Sequence, residues 1–415
     1  MWRGLNYLTV FIVTIVIARL FKAGESGVIN YLINNLALLI LFTGMSLESA
    51  TGYYSAKNEI SQPVLAGISI TVAAAGMIVS AIIVKLLFEV HDNNLMLAAV
   101  AYCGGIVLVN YFTVLFYSHH NYMVPNCIIV VINVIIIAIC ILSGDSLVEN
   151  QGVSFLKFYF LSFFLTGLIM TAVYVRRYVR KIRFPSFSAT NKIFRYASVA
   201  MITNLIFFLV YRVDYWFVHR NCTEEAMGNY IQVSKLAQIF MLLPAIVASV
   251  IFTRTAKASA HDHLRELQLL SRLLLSMYLV LLFLLGVTGY WLFPAIYGQS
   301  FMLMYLPFLI LIPGILSLST LTLVAAFNAG QGRIGVNLRG GLLALFVILT
   351  GNAIFSERYG IYAAAAVSSI GYLTYQVYVM HQLKRNNKNI RLEDFFKPRL
   401  IDLSFVKNLL TKEKI

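Results

Sequence analysis

Three charged residues lie inside long apolar segments, where a membrane would penalise them. Arg212, Asp214 and Lys235 occupy two such segments, and a charge at bilayer depth costs about 2.5 kcal/mol or more on insertion scales. Arginine and lysine attract phosphate or acidic sugars, and a buried carboxylate can take up a proton or Na⁺. We predict that Arg212 and Lys235 bind an anionic substrate group and that Asp214 couples transport to H⁺ or Na⁺. The alternatives are an internal pair of Arg212 with Asp214, or snorkelling to the interface.

A second polar set lies near the start of the chain. Arg19 ends the first apolar segment, Asn34 lies within the second, and Glu48 stands near the inner end of that second segment. We predict Arg19 and Asn34 as further substrate-binding residues. Glu48 is the other intramembrane carboxylate and thus the second candidate for ion coupling. In the alternative interpretation Arg19 is an interfacial anchor, Asn34 bonds a neighbouring helix, and Glu48 is a permanent ion-pair partner.

Motifs for cofactor chemistry are weak. Gly330-Gln331-Gly332-Arg333-Ile334-Gly335 spells GxGxxG, but it joins two apolar segments and follows no strand of a βαβ unit, so it predicts a tight turn. The sequence has no Walker A, HExxH or CxxC motif. Its histidines, such as His119 and His263, have no matching acidic or cysteine set. We expect no cofactor, no metal site and no enzymatic activity.

The elements that carry these residues are apolar segments of membrane-spanning length. Hydrophobic residues make up 60% of the chain and charged residues 12%, and about twenty apolar residues cross a bilayer as a helix. The segments lack the period-2 alternation of barrel strands. The sequence therefore predicts an all-α polytopic membrane protein with about twelve transmembrane helices at 5–21, 28–48, 63–88, 95–117, 122–143, 155–175, 193–217, 228–252, 269–293, 302–327, 336–355 and 360–382.

The distribution of positive charge predicts the topology. The net charge is +15, and most Lys and Arg residues fall on the side of the two termini, which the positive-inside rule assigns to the cytoplasm. This placement favours contact with anionic membrane lipids over nucleic-acid binding. We expect a multi-pass protein of the bacterial inner membrane with both termini in the cytoplasm.

A basic connecting loop divides the chain into halves of six helices. The loop covers 176–192, the predicted N-terminal lobe 1–182, the C-terminal lobe 193–383, and a basic cytoplasmic tail 384–415. Glu25-Ser26-Gly27 before the second span and Glu225-Ala226-Met227-Gly228 before the eighth echo each other. Because six is even, such lobes would be related by an axis along the membrane normal.

Several short motifs, in order along nearly the whole chain, resemble the bacterial polysaccharide flippases of the MOP superfamily, the Wzx-type exporters of O-antigen and capsule repeat units. The residues that carry the likeness are Ala18-Arg19-Leu20-Phe21, Gly24-Glu25-Ser26-Gly27, Gly44-Met45-Ser46-Leu47-Glu48-Ser49-Ala50, Asp214-Tyr215-Trp216, Gly228-Asn229-Tyr230 with Lys235, Ile296-Tyr297-Gly298 with Phe301, Ala329-Gly330-Gln331-Gly332-Arg333, and Tyr359-Gly360-Ile361 with Ala363-Ala364-Ala365.

The resemblance implies two six-helix lobes that open alternately around a central cationic cavity. The substrate would be an undecaprenyl-diphosphate-linked oligosaccharide, moved from the cytoplasmic to the periplasmic leaflet for surface polysaccharide such as O-antigen or lipopolysaccharide, capsule or exopolysaccharide. A polysaccharide polymerase and a chain-length regulator would be partners. Span eight departs from the family pattern, because Ile251-Phe252-Thr253-Arg254 stands where a proline often ends it and Pro244 lies earlier; the helix geometry there is therefore expected to differ.

Two other functions stay open on the sequence. A cation-coupled multidrug exporter of the same superfamily would use membrane carboxylates to hold a cationic drug, and Asp214 and Glu48 are available for that role. A membrane oligosaccharide polymerase or ligase would act on the same lipid-linked glycans. Such enzymes usually carry a large extracytoplasmic loop, whereas the longest predicted outer loop here covers only about 143–154.

Overall fold

The computed structural model describes residues 2–87, 92–143, 146, 148, 152–179, 181–183, 187–257, 260–387 and 390–397, and over these the regular structure is entirely helical. The chain divides into two compact units, Met1–Phe208 and Leu209–Ile415. The N-terminal unit contains α1 (Trp2–Gly44), α2 (Leu47–Ala56), α3 (Gln62–Leu87), α4 (Asn93–Ser118), α5 (Met123–Leu142), α6 (Val153–Tyr178) and most of α7 (Phe187–Arg212).

The C-terminal unit begins at the end of α7 and continues with shorter and longer helices in turn. It contains α8 (Asp214–Asn221), α9 (Glu224–Phe240), α10 (Leu242–Lys257), α11 (Ala260–Tyr297), a 3₁₀ helix (Gln299–Met304), α12 (Tyr305–Gly330), α13 (Ile334–Asn386) and a final 3₁₀ turn (Leu392–Phe395). The GxGxxG segment forms the predicted turn between α12 and α13, with Gly332 at φ 72°. Residues 398–415 of the predicted tail lie outside the described part of the chain.

Two of the long helices each contain two membrane spans. Helix α1 has 43 residues and α13 has 53, which at 1.5 Å per residue is roughly 65 and 80 Å, at least twice the hydrocarbon thickness. Each is broken once by a residue in the left-handed region, Lys22 at φ 54° and Gly360 at φ 55°. Within the described residues ten helices are long and apolar enough to cross a membrane. With the two breaks they supply the predicted twelve spans, and the all-α polytopic prediction is confirmed.

Span eight is interrupted where Pro244 requires it. Helix α9 ends at Phe240 and α10 begins at Leu242. A proline cannot donate a hydrogen bond to the carbonyl four residues earlier, and that carbonyl belongs to Phe240. The hydroxyl of Tyr278 on α11 donates to the Phe240 carbonyl instead. The expected change in helix geometry therefore lies at 240–242, while α10 runs through 251–254 without a break.

Glycines allow close helix packing inside each unit. A Cβ atom added at Gly105 on α4 would lie 2.5 Å from the Cα of Phe164 on α6, and one added at Gly167 would lie 2.6 Å from the Gly105 carbonyl oxygen. In the C-terminal unit, a Cβ at Gly314 on α12 would lie 3.0 Å from the Cα of Ser369 on α13. Small residues that let backbones approach are typical of membrane bundles, where no hydrophobic effect drives helices together.

Candidate functional site in the C-terminal unit

Asp214 is the centre of a buried polar cluster. It is the first residue of α8 and only 1% exposed. Its Oδ2 atom accepts hydrogen bonds from the hydroxyls of Tyr230 on α9, at 2.5 Å, and Ser368 on α13, at 2.9 Å. Its Oδ1 atom is buried and has no hydrogen-bond partner among the residues that the structure describes. The Oδ2 atom is thus held by two neutral donors from two other helices.

The carboxylate lies just after α7, at a single tightened turn in which Val213 keeps helical backbone angles (φ −65°, ψ −29°). Helix α7 ends at Arg212, Val213 caps the next helix, and α8 begins at Asp214. Val213 still bonds back to the Leu209 carbonyl, and the Trp216 amide bonds to Val213 in a tighter turn. The two charges of the Arg212-Val213-Asp214 segment therefore stand on either side of a helix boundary.

The predicted cations Arg212 and Lys235 belong to the same cluster. Both side chains are half-buried, and their positive charges are close enough to repel each other. Arg212 and Asp214 also both interact electrostatically with the buried Tyr215. The structure therefore brings together the three charged residues that the sequence places in spans seven and eight.

Tyrosine rings form two pairs near the charged residues. Tyr211 and Tyr372 have ring centroids 5.8 Å apart, and Tyr215 and Tyr230 meet edge to face at 6.1 Å. Tyr375, one turn beyond Tyr372 on α13, is 2% exposed. A Cβ added at Gly340 would lie 2.5 Å from the Tyr375 ring and 3.2 Å from Tyr378, so these two rings serve helix packing within α13.

The second predicted set lies in the N-terminal unit. Arg19 is exposed on the first half of α1, and Asn34 is buried on its second half. Each residue takes part in at least one further interaction. The prediction that they bind substrate stays a prediction.

Glu48 lies beyond the end of span two. Helix α1 ends at Gly44, four residues earlier than the predicted span 28–48, because Met45 and Ser46 both adopt left-handed conformations at φ 50° and 51°. The Gly44 carbonyl accepts a hydrogen bond from the hydroxyl of Tyr111 at 2.5 Å. Glu48 is half-buried in the first turn of the separate helix α2. Glu48 therefore lies just past the end of the spanning helix, and its role in ion coupling stays a prediction.

Sequence reasoning missed the partners of Asp214. Tyr230 stands within the Gly228-Asn229-Tyr230 motif and could have been found, because a carboxylate at bilayer depth needs donors nearby. Ser368 is separated from Asp214 by 154 positions and lies in an alanine-rich helix, with no sequence signal of its own. Asn229 has a structural role, since its amide donates to the Glu225 and Ser300 carbonyls.

Comparison with known proteins gives a fold but no close relative. No family model matches the chain, and no curated protein matches it. The lipid II flippase MurJ in an inward-closed conformation is 14% identical, with 99% of this chain and 93% of MurJ covered and a TM-score of 0.68. An inward-facing multidrug-resistance MATE transporter of the MOP superfamily is 12% identical, with 92% and 96% covered and a TM-score of 0.70. A mutant of the Vibrio cholerae MATE transporter VcmN is 14% identical, with 95% and 99% covered and a TM-score of 0.62.

These likenesses establish the architecture. The chain is a multi-pass membrane protein whose fold resembles those of the lipid II flippase MurJ and of MATE transporters. The neighbours are transporters and flippases rather than enzymes.

Proposed function

We propose that this protein is a flippase for an undecaprenyl-diphosphate-linked oligosaccharide in surface polysaccharide synthesis. The observation that carries the proposal is the proximity of the positive charges of Arg212 and Lys235. Two positive charges this close together inside a membrane fold attract an anionic group strongly. A diphosphate supplies such an anion. The fold shared with MurJ supports a lipid-linked substrate.

The two cations suit different parts of one anionic group. An arginine guanidinium binds phosphate oxygens through two parallel hydrogen bonds, whereas a lysine ammonium acts as a compact point charge. The polyprenyl tail would stay in lipid, so only the polar head group needs shielding during its passage. Arg19 and Asn34 would extend the polar path in the N-terminal unit.

Asp214 would bind the coupling ion. Its Oδ2 atom is already occupied by the Tyr230 and Ser368 hydroxyls, while Oδ1 can accept a proton or contact Na⁺. Because Asp214 shares its cluster with Arg212 and Lys235, neutralising it strengthens the net positive field on the anionic substrate. Ion binding would in this way favour the state that holds the substrate. Glu48 is a second candidate for the same role.

The remaining parts of the proposal follow from topology and chemistry. Transport would proceed by alternating access of two six-helix lobes, 1–182 and 193–383, in the bacterial inner membrane with both termini in the cytoplasm. The product, a repeat unit in the outer leaflet, is the substrate that a polymerase with its chain-length regulator would consume. Both proteins are therefore expected partners.

A multidrug exporter is the second candidate, because Asp214 is a buried carboxylate and MATE transporters share the fold. The proximity of Arg212 and Lys235 opposes a cationic drug and favours the flippase. A polymerase or ligase gains no support, since the structural neighbours are transporters.

Deletion of the gene with analysis of lipid-linked glycans on each face of the inner membrane tests the proposal. Complete repeat units should accumulate on the cytoplasmic face and disappear after complementation. Arg212→Ala and Lys235→Ala should fail to complement at normal membrane abundance, and exposed Arg220→Ala in the same unit is the matched control. An unchanged glycan pool with altered drug sensitivity would favour the exporter.

A further inference from the structure

Helix α7 has several exposed apolar side chains in its middle part. Val199 and Ile202 are 67% and 57% exposed. The exposed middle part of α7 differs from the interface of α4 with α6, where glycines bring the two backbones together. A cluster of polar and aromatic contacts joins the beginning of α7 to the N-terminal unit.

Lys192 makes the first of these contacts. Its ammonium group pairs with the Glu59 carboxylate in the turn between α2 and α3, and it lies 5.0 Å from the centre of the Tyr54 ring. The Tyr54 hydroxyl donates to the backbone carbonyl of Lys192 at 3.3 Å. Side chain and main chain of one residue are thus both engaged by α2 and the turn that follows it.

Tyr196, one turn further along α7, makes the second contact. Its ring stacks on that of Tyr53 with centroids 4.9 Å apart and 21° between the planes, and meets Tyr54 edge to face at 6.0 Å. Beneath the polar contacts, Ile193 and Ala197 are fully buried in the apolar core of the N-terminal unit. Deeper still, the Asn204 amide donates to the Ser46 hydroxyl at 3.0 Å.

The exposed polar contacts can be broken at a small cost in free energy. The Lys192 and Glu59 side chains are 52% and 35% exposed, and exposed ion pairs and cation–π contacts contribute little to stability. Glu59 also has a second partner, Lys57, at 3.7 Å, and Lys57 in turn lies 4.6 Å from the Tyr53 ring. If Lys192 leaves, Lys57 can still neutralise Glu59. The separated state therefore leaves no unpaired charge at Glu59.

We propose that Lys192 and Tyr196 of α7, with Tyr53, Tyr54 and Glu59, form a releasable latch whose opening is a step of the transport cycle. It lies on the side that the charge distribution assigns to the cytoplasm. The inference rests on the proposed transport function, because a latch of this kind is needed only if α7 moves relative to α2.

A cross-link tests whether the latch must open. In a background with the four native cysteines replaced by alanine, Glu59→Cys and Lys192→Cys are joined by a short methanethiosulfonate cross-linker that reductant cleaves. The matched control joins Asp92→Cys and Lys157→Cys, another half-exposed ion pair at 2.6 Å, which links the start of α4 to the closely packed α6. Transport of lipid-linked glycan should fall at least tenfold in the first pair and recover on reduction, while the control pair keeps its rate. Full transport with 59 and 192 joined would overturn the proposal.

A distance measurement tests the opening of the latch independently of the proposed substrate. Spin labels at positions 59 and 192 in membranes should show two distance populations, and labels at 92 and 157 only one. If the glycan assay fails for the wild type as well, two populations at 59 and 192 would still support the latch, and the proposed substrate alone would be withdrawn. One short distance at 59 and 192 under all conditions would refute the latch.

Discussion

Asp214 and Glu59 are two carboxylates that the fold treats in opposite ways. Asp214 is 1% exposed and its Oδ2 atom is held by two hydroxyls, from Tyr230 and Ser368. Glu59 lies in an exposed turn and pairs with Lys57 and Lys192. The first has fixed neutral partners on two other helices, and the second has two charged partners that can replace each other.

The difference shows how burial determines what a carboxylate can do. In a low dielectric an unsatisfied acceptor or donor is costly, so its partners must be rigidly placed. Such a group can hold an ion at a defined position. In water an ion pair contributes little free energy, so it breaks and forms again readily. The buried carboxylate therefore suits binding, and the exposed one suits a contact that opens and closes.

The largest effect is expected from removing the Asp214 acceptor. Asp214→Leu leaves the Tyr230 and Ser368 hydroxyls buried without it, and we expect the free energy of unfolding to fall by about 3 kcal/mol. Asp214→Asn is the matched control for folding, because it keeps an oxygen for both hydroxyls but cannot ionise. Thermal unfolding and transport should separate the two: Asn should retain stability and lose transport. Normal transport by Asp214→Asn would refute ion binding at this residue.

A smaller effect on stability and transport is expected from removing either hydroxyl that donates to Asp214. Ser368→Ala and Tyr230→Phe each delete one hydrogen bond to a buried carboxylate, which contributes about 1.5–3 kcal/mol. Transport should become about tenfold less efficient in each variant and should show an altered dependence on Na⁺ concentration or pH. Ser369→Ala on the same helix is a useful control, because its hydroxyl donates to the Ile310 carbonyl instead. Equal behaviour of the 368 and 369 variants would remove the special role of Ser368.

The exposed carboxylate should matter least for stability. Glu59→Gln removes an ion pair in water, so thermal unfolding should change less than in Ser368→Ala. The effect should instead appear as a shift of the distance between labels on α2 and α7 towards the longer population. A loss of stability as large as that of Asp214→Leu would contradict the assignment of Glu59 to a releasable contact.

The smallest effect is the pH dependence of that same contact. The hydrogen bond from Lys192 holds the pKa of Glu59 below its ordinary value of 4.5. A group whose pKa is lowered by folding stabilises the folded state above its unfolded pKa and loses that contribution as the pH falls through the lowered pKa. The stability difference between wild type and Glu59→Gln should therefore be full above pH 4.5 and vanish in more acidic solution. A difference that persists there would mean that Glu59 acts through packing.

Span number could be predicted from the sequence because hydropathy is a local property, and the breaks at Lys22 and Gly360 do not change it. Arg212, Asp214 and Lys235 could be identified as candidates because each charge stands out in an apolar segment. Their proximity could be expected because consecutive spans tend to be neighbours. The Ser368 contact could not be found, because it joins residues 154 positions apart. The end of α1 was placed too late because the turn after Gly44 is made by Met45 and Ser46, two residue types that rarely adopt left-handed conformations.

The proposed role of Arg212 and Lys235 is tested most directly in proteoliposomes that contain the purified protein and a fluorescent undecaprenyl-diphosphate-linked oligosaccharide. The movement of the head group between leaflets is followed by its accessibility to an external quencher. We predict movement by the wild type and by Arg220→Ala, and at least about tenfold slower movement by the Arg212→Ala, Lys235→Ala double variant, because charge-assisted hydrogen bonds contribute about 1.5–3 kcal/mol each. Movement by the double variant at the wild-type rate, at equal protein incorporation, would contradict the account.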